Sequence, residues 1–163
     1  MAVSGVIGTK RDGTIKLTDG GPTNLTITLD VGDFAFDDGS KASRVVLRDR
    51  GAICGLRFGD DEVIALSFSA HFTEFTNSSA NILLDFCYKR GNMDGGVSTG
   101  GSGYEPFLVT VTYTCDKTSL GDGVAAVAIF SKVLLIASFS EGESDTLSIT
   151  GECYGGVTYT GVL

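Results

Sequence analysis

Apolar and polar residues alternate along most of the chain, and alternation with period two predicts β-strands. Thr14–Asp19 puts Ile15 and Leu17 on one face. After a Gly20-Gly21-Pro22 turn, Leu25–Asp30 does the same with Leu25, Ile27 and Leu29. These two runs predict a hairpin. Phe34 and Phe36 carry the pattern past Gly32, as a strand does across a bulge. The longest alternation is Val63–Phe72. Ile64, Leu66, Phe68, Ala70 and Phe72 share one face, while Val63, Ala65, Ser67, Ser69, His71 and Thr73 share the other, which is small and mostly polar. Such a strand lays one side on a core and turns the other to water or a neighbour. Phe107–Cys115 and Thr146–Cys153 alternate in the same way. Val124–Phe130 and Val133–Phe139 are apolar runs joined at Ser131-Lys132.

The period changes once. Ala80, Leu83, Leu84 and Cys87 follow the i, i+3, i+4, i+7 spacing of one helix face. Asn77 or Ser78 is the expected N-terminal cap, Lys89 and Arg90 suit the C-terminal dipole, and Gly91 is the expected stop. Gly91–Gly103, with six glycines, reads as a flexible loop. The predicted fold is mainly β: two packed antiparallel sheets, as a sandwich or open barrel, with one short flanking α-helix. With 163 residues, no repeat and no boundary, the chain reads as one domain, 1–163.

Leu25–Asp30 and Val63–Phe72 bracket the segment 37–62, which is charged and punctuated by glycine. It mixes Arg44, Arg48, Arg50 and Arg57 with Asp49, Asp60, Asp61 and Glu62, around two short apolar runs, Arg44–Arg48 and Ile53–Phe58. A long loop in a small domain is usually functional. This one holds no catalytic constellation, so its expected task is to touch another protein.

Composition narrows the function classes. Twenty-three glycines with two prolines predict many tight turns, and 42% hydrophobic residues with 20% charged ones fit a globular core. The net charge is −8, and the 12 lysines and arginines form no run. A basic patch that displaces counterions from nucleic acid is therefore missing, and an acidic surface repels DNA. The N-terminal sequence has no signal-peptide pattern, and the longest apolar run, Val133–Ala137, is far too short to span a bilayer. No membrane binding by this chain is expected. Cys54, Cys87, Cys115 and Cys153 form no C-x-x-C and read as reduced core thiols.

The candidate chemistry is thin. His71 is the sole histidine and has no cysteine or aspartate pattern suited to a triad or zinc site. Asp33, Asp37 and Asp38, and Asp60, Asp61 and Glu62, do not match a calcium loop and read as solvated turn acids. Gly100-Gly101-Ser102-Gly103 lacks the phosphate-loop lysine and the dinucleotide spacing. The chain reads as a non-enzyme with no catalytic residue, no metal site and no cofactor.

The order of these pieces resembles the tail tube (major tail) proteins of long-tailed bacteriophages. The matching pieces are LTITLDVGDFAFD, VVLRDRG and LRFGDDEVIALSFSAHFTEF, then the short helix in TNSSANILLDF, a glycine-rich loop, FLVTVTYTC and SDTLSITGECYG. Together they span residues 13–155. The resemblance implies a virion structural protein, a tail tube subunit that forms stacked hexameric rings around a lumen. The tube would deliver genome DNA, which passes without specific binding. The implied partners are further copies of the chain and other tail proteins (tape measure, terminator, baseplate). The implied location is the virion tail, after assembly in the host cytoplasm. On this reading 37–62 is a stacking loop, with Arg44, Arg48, Asp49, Arg50, Arg57, Asp60 and Asp61 as inter-ring contact candidates. Ser67, Ser69, His71 and Thr73 are lumen-facing candidates, and the net charge predicts an acidic lumen. The N-terminal arm 1–12 and the C-terminal tail 154–163 are expected to include a segment that orders only on assembly. Two alternatives stay open. One is a tail terminator or baseplate ring protein of the same fold. The other is a carbohydrate-binding or adhesion β-sandwich, which needs exposed aromatics, whereas this chain has no tryptophan and its five tyrosines are dispersed.

Overall fold

The computed structural model describes residues 13–21, 26–31, 33–37, 42–101, 106–115, 125–139 and 146–160. The elements are β1 (Gly13–Thr18), β2 (Thr26–Val31), β3 (Ala35–Asp37), β4 (Ala42–Asp49), β5 (Ala52–Asp61), β6 (Ile64–His71), α1 (Leu83–Tyr88), a single 3-10 turn (Gly91–Met93), β7 (Val109–Cys115), β8 (Ala126–Phe139), β9 (Thr146–Cys153) and β10 (Val157–Thr160). The main sheet runs β2-β1-β7-β8-β9-β6-β3, with β10 also paired to β8. β4 and β5 form a separate two-stranded sheet.

The two ends of the main sheet are consecutive in the chain. Residues 26–31 pair with β1 at one edge, and residues 35–37 pair with β6 at the other. The segment 26–37 therefore curls the sheet into an open barrel. Its corner is held by two side chains. Asp33 Oδ1 accepts the Ser69 N–H at 3.0 Å, just past the β3 ladder. Phe34 stacks on Tyr113 of β7 at 4.3 Å and lies 5.7 Å from Phe130 of β8. The expected β1–β2 hairpin is present. The inward phase of Leu25, Ile27 and Leu29 lies outside the described side chains.

Alternation becomes burial as period two requires. On β6 Ile64, Leu66, Phe68 and Ala70 are buried, and on β9 Leu147, Ile149, Gly151 and Cys153 are buried. Val109 and Val111 of β7 and Ile15 and Leu17 of β1 complete the barrel interior. Each such large side chain contributes about 1.5–3 kcal/mol relative to exposure.

Four expectations are corrected. The two apolar runs at 124–139 are one 14-residue strand, β8. Its register against β7 jumps from Val109↔Val133 to Val111↔Phe130, so β8 holds one extra residue there. Lys132 is the bulge residue, with φ of 55°. The bulge resets the phase: Ala128 and Phe130 before it, and Val133 and Leu135 after it, all face the core. The freed backbone groups bond to the β9–β10 turn, where Gly155 N donates to Ser131 O, Tyr154 N to Lys132 O, and Ser131 N to Gly156 O.

The helix is shorter and rotated from the expected face. It spans Leu83–Tyr88, and Lys89, not Gly91, ends it in the left-handed region with φ of 49°. Ile82, without a side-chain cap bond, occupies the N-cap. Asn77 Oδ1 instead accepts from the Ser79 and Ala80 N–H groups, closing an earlier turn. Ala80 is exposed and Cys87 half-buried. Ile82, Leu83, Leu84 and Phe86 are buried instead, and the helix lies against β8.

The glycine-rich stretch is anchored where it is described. Met93 is fully buried, Val97 N–H donates to Asp19 Oδ2 at 3.1 Å, and Gly20 N–H donates to Val97 O at 2.7 Å. The C-terminal tail also contributes structure, since Val157–Thr160 pairs with β8 as β10. The N-terminal arm 1–12 lies outside the described residues. Finally, Cys54 is exposed on β5, so it is no core thiol. Cys153 is buried, and Cys87 and Cys115 are half-buried.

Candidate functional site

Segment 37–62 is not a loop in its main part. β4 and β5 form an antiparallel hairpin that turns at Arg50-Gly51, both at positive φ (48° and 89°). That is the geometry of the two-residue turns matching strand twist. The register explains why short apolar runs sit between charges. Val46 faces Leu56, Arg44 faces Phe58, and a bulge beyond Leu47 brings Arg48 opposite Ile53. One hairpin face thus carries Val46, Ile53, Leu56 and Phe58, flanked by two arginines. Phe58 is 71% exposed and Ile53 66%. An isolated two-stranded hairpin is marginal in water, and an apolar face on one marks a contact surface.

The seven contact candidates all lie on this hairpin. Arg44, Arg48 and Asp49 are on β4, Arg50 is in the turn, and Arg57, Asp60 and Asp61 are on β5. The ladder sets none of them directly opposite another: Arg57 faces Val45, Asp49 faces Ala52 and Asp61 faces Ala42. Their charges are therefore presented outward along the arm.

The lumen candidates sit elsewhere. Ser67, Ser69 and His71 take the outward positions of β6, and Thr73 lies in the exposed chain beyond it. Across the ladder Ser67 faces Thr150, Ser69 faces Ser148, and Ser148 faces Ser138. This outer face is rich in hydroxyls and also carries acids: Asp37 of β3 and Glu152 of β9 both stand opposite Ala65.

Sequence reasoning missed a second surface. Phe72, Phe75 and Phe139 cluster at the end of β6 opposite the hairpin, with ring centroids 4.9 Å (Phe72–Phe75), 4.8 Å (Phe72–Phe139) and 6.2 Å (Phe75–Phe139) apart. Phe75 is 61% exposed and Phe139 is also exposed. Beside them Tyr88 O–H donates to Ala137 O, and Arg90 donates to the Phe75 carbonyl. The sequence signal was Phe75, an aromatic residue placed after the alternation had ended. Arg90 is itself fixed by Asp85, a fully buried carboxylate at 3.3 Å.

Among the described residues no three histidine, cysteine, aspartate or glutamate side chains converge as a metal site, and no helix is long and apolar enough to cross a membrane. A recess of about 490 Å³ at the hairpin base is lined by Asp61, Glu62, Val63, Ile64 and Cys153–Gly156. Cys153 Sγ lies 3.2 Å from Ser131 O within the fold. The Cys87 thiol is pushed up to about 12 by burial, opposed in part by the nearby Arg90 charge, so it is no nucleophile at neutral pH.

Solved structures share this fold. The chain is similar to the sheath/tube terminator of an extracellular contractile injection system, PVC, in its extended state. The TM-score is 0.63 at 13% identity, covering 98% of this chain and 100% of that one. It is similar to the tube-terminating cap of the anti-feeding prophage, with TM-score 0.58, 14% identity, and 99% and 95% coverage. It is also similar to a chain of the anti-feeding prophage baseplate, with TM-score 0.52, 12% identity, and 99% and 98% coverage. No protein-family model matches the chain, and no curated protein matches it significantly. The fold is that of tail tube and terminator proteins. These neighbours belong to contractile injection systems, whereas the sequence pattern pointed to long-tailed bacteriophages.

Proposed function

We propose that the chain is a non-enzymatic ring subunit at the end of a tail-tube-like assembly, in the terminator, cap or baseplate class. The observation that carries this reading is the match to a sheath/tube terminator over 98% of this chain and 100% of that one. A terminator and a baseplate ring protein were the alternatives to a tube subunit on sequence grounds, and the neighbours favour them. On this reading the hairpin 42–61 carries contacts to a neighbouring ring, through Arg44, Arg48, Asp49, Arg50, Arg57, Asp60 and Asp61. Mixed charge on one arm suits register and steering more than raw affinity. The hydroxyl-rich face of Ser67, Ser69 and His71, with Thr73 beyond it, is the proposed lumen wall, and Asp37 and Glu152 are its acids.

Negative-stain imaging of the purified chain tests the class. Closed rings, alone or capping the ends of added tubes, are expected. A protein that stays monomeric at all concentrations and binds no tube end defeats the reading.

A second reading, the tube subunit itself, is favoured by one observation: contact features occupy opposite ends of β6. A subunit built for one open end needs only one.

A further inference from the structure

We propose that Asp19 anchors a binding site for one singly charged metal cation, of the sodium class, between the end of β1 and the segment 97–99. The site is independent of the ring-subunit reading.

Asp19 follows β1 directly and is 4% exposed, and Asp85 is the other buried acid among the described residues. The two carboxylates are answered differently. Asp85 receives the Arg90 guanidinium on Oδ1 and the Asn77 N–H on Oδ2. Asp19 receives the Val97 N–H on Oδ2, but its Oδ1 is buried with no hydrogen-bond partner among the described residues. No cationic side chain among them pairs with it. Buried charges in proteins are paired or coordinate metals.

A second oxygen nearby is in the same condition. Thr99 Oγ1 is buried and also lacks a partner among the described residues. Thr99 Cα lies 3.2 Å from where a β-carbon on Gly20 would sit, so the two segments touch. The neighbouring Ser98 hydroxyl, by contrast, is fully used: it donates to the Pro106 carbonyl and accepts the Gly100 and Leu108 N–H groups. Two glycines keep the space open. A β-carbon on Gly21 would stand 2.7 Å from Asp19 Oδ2, and one on Gly20 would stand 2.8 Å from the Ser98 carbonyl oxygen.

The donor set chooses the ion. Carboxylate, hydroxyl and peptide carbonyl are hard oxygen donors, which suit hard cations and not thiolate-seeking ones. One carboxylate balances one positive charge, whereas calcium sites gather more carboxylate oxygens. The bound ion ties the end of β1 to the chain that follows the helix.

The test melts the full chain at one ionic strength in choline chloride, sodium chloride, or choline chloride with added calcium. The wild-type midpoint is expected to rise with sodium and to saturate, by about 5 °C. Asp19→Asn keeps an acceptor for the Val97 N–H and removes the charge. It is expected to melt above the wild type in choline and to ignore sodium. Thr99→Val is expected to need roughly tenfold more sodium for half the effect. If Asp19→Asn misfolds, sodium NMR decides: the wild type is expected to broaden the sodium line, and Thr99→Val to broaden it less. Equal wild-type midpoints in choline and sodium overturn the inference, as does a sodium response retained in Asp19→Asn. Stabilisation by calcium but not sodium, or a sodium line left sharp by the wild type, also overturns it.

Discussion

Phe34 lies nearly flat on Tyr113, with ring centroids 4.3 Å apart and planes 14° from parallel. The pair joins the corner of the 26–37 segment to β7 and so locks the barrel shut. Phe34→Ala is expected to cost about 3 kcal/mol, since it removes a large aromatic body from a packed site. Urea unfolding measures this. Phe34→Leu is expected to cost less than half as much, and a loss below 1 kcal/mol for the alanine variant contradicts the locking role.

Asp85 and Arg90 predict a second, asymmetric result. Asp85 is fully buried and receives both Arg90 Nε and the Asn77 N–H, whereas the Arg90 side chain is partly exposed. Arg90→Met strands a buried charge and is expected to cost about 3 kcal/mol. Asp85→Asn in the same chain removes that charge, so the double variant is expected to regain part of the loss. A double variant no better than Arg90→Met alone argues against a stranded charge.

Lys132 predicts two opposite outcomes at one position. Its φ of 55° favours glycine, so Lys132→Gly is expected to be neutral or to stabilise by up to about 1 kcal/mol. Deleting Lys132 leaves Phe130, Ser131 and Val133 in plain alternation, so Val133 and Leu135 keep their inward phase, while the kink and the Lys132 carbonyl that accepts the Tyr154 N–H are lost. The deletion is expected to unfold cooperatively but at a lower temperature than the wild type, read by thermal melts. A deletion variant as stable as the wild type rules out the bulge as a stabilising element.

Cys87 makes stability depend on pH. Burial lifts its thiol from 9.0 to about 12. The unfolded chain ionises first, so the native state binds more protons above pH 9. Between those two values this group removes about 1.4 kcal/mol of stability per pH unit, and below pH 9 it has no effect. Urea midpoints from pH 8 to 10.5 are expected to fall more steeply in the wild type than in Cys87→Ala. Thiol alkylation at pH 8 is expected to label exposed Cys54 before either Cys87 or buried Cys153.

The alternation along β6, β7 and β9 was legible because each strand buries one face, so period two maps directly onto burial. β8 was harder: its bulge inverts the phase at Lys132, and a local reading sees two strands where the β9–β10 turn completes one. The helix was displaced because a buried aspartate, Asp85, sits on its inner face, and composition treats aspartate as surface. The charges of the hairpin were legible, but its ladder was not, since arginines interrupt both apolar runs. Phe75 and Phe139 came together only through the pairing of β6, β9 and β8, which no single stretch of sequence contains.

The hairpin is a ladder, and a ladder has a fixed reach. Two residues added to each strand lengthen the arm by about 7 Å and keep its apolar face in place, whereas one residue added to each turns that face over. The arm is therefore a ruler with two settings, length and side, and evolution can move the first in steps only by leaving the second alone.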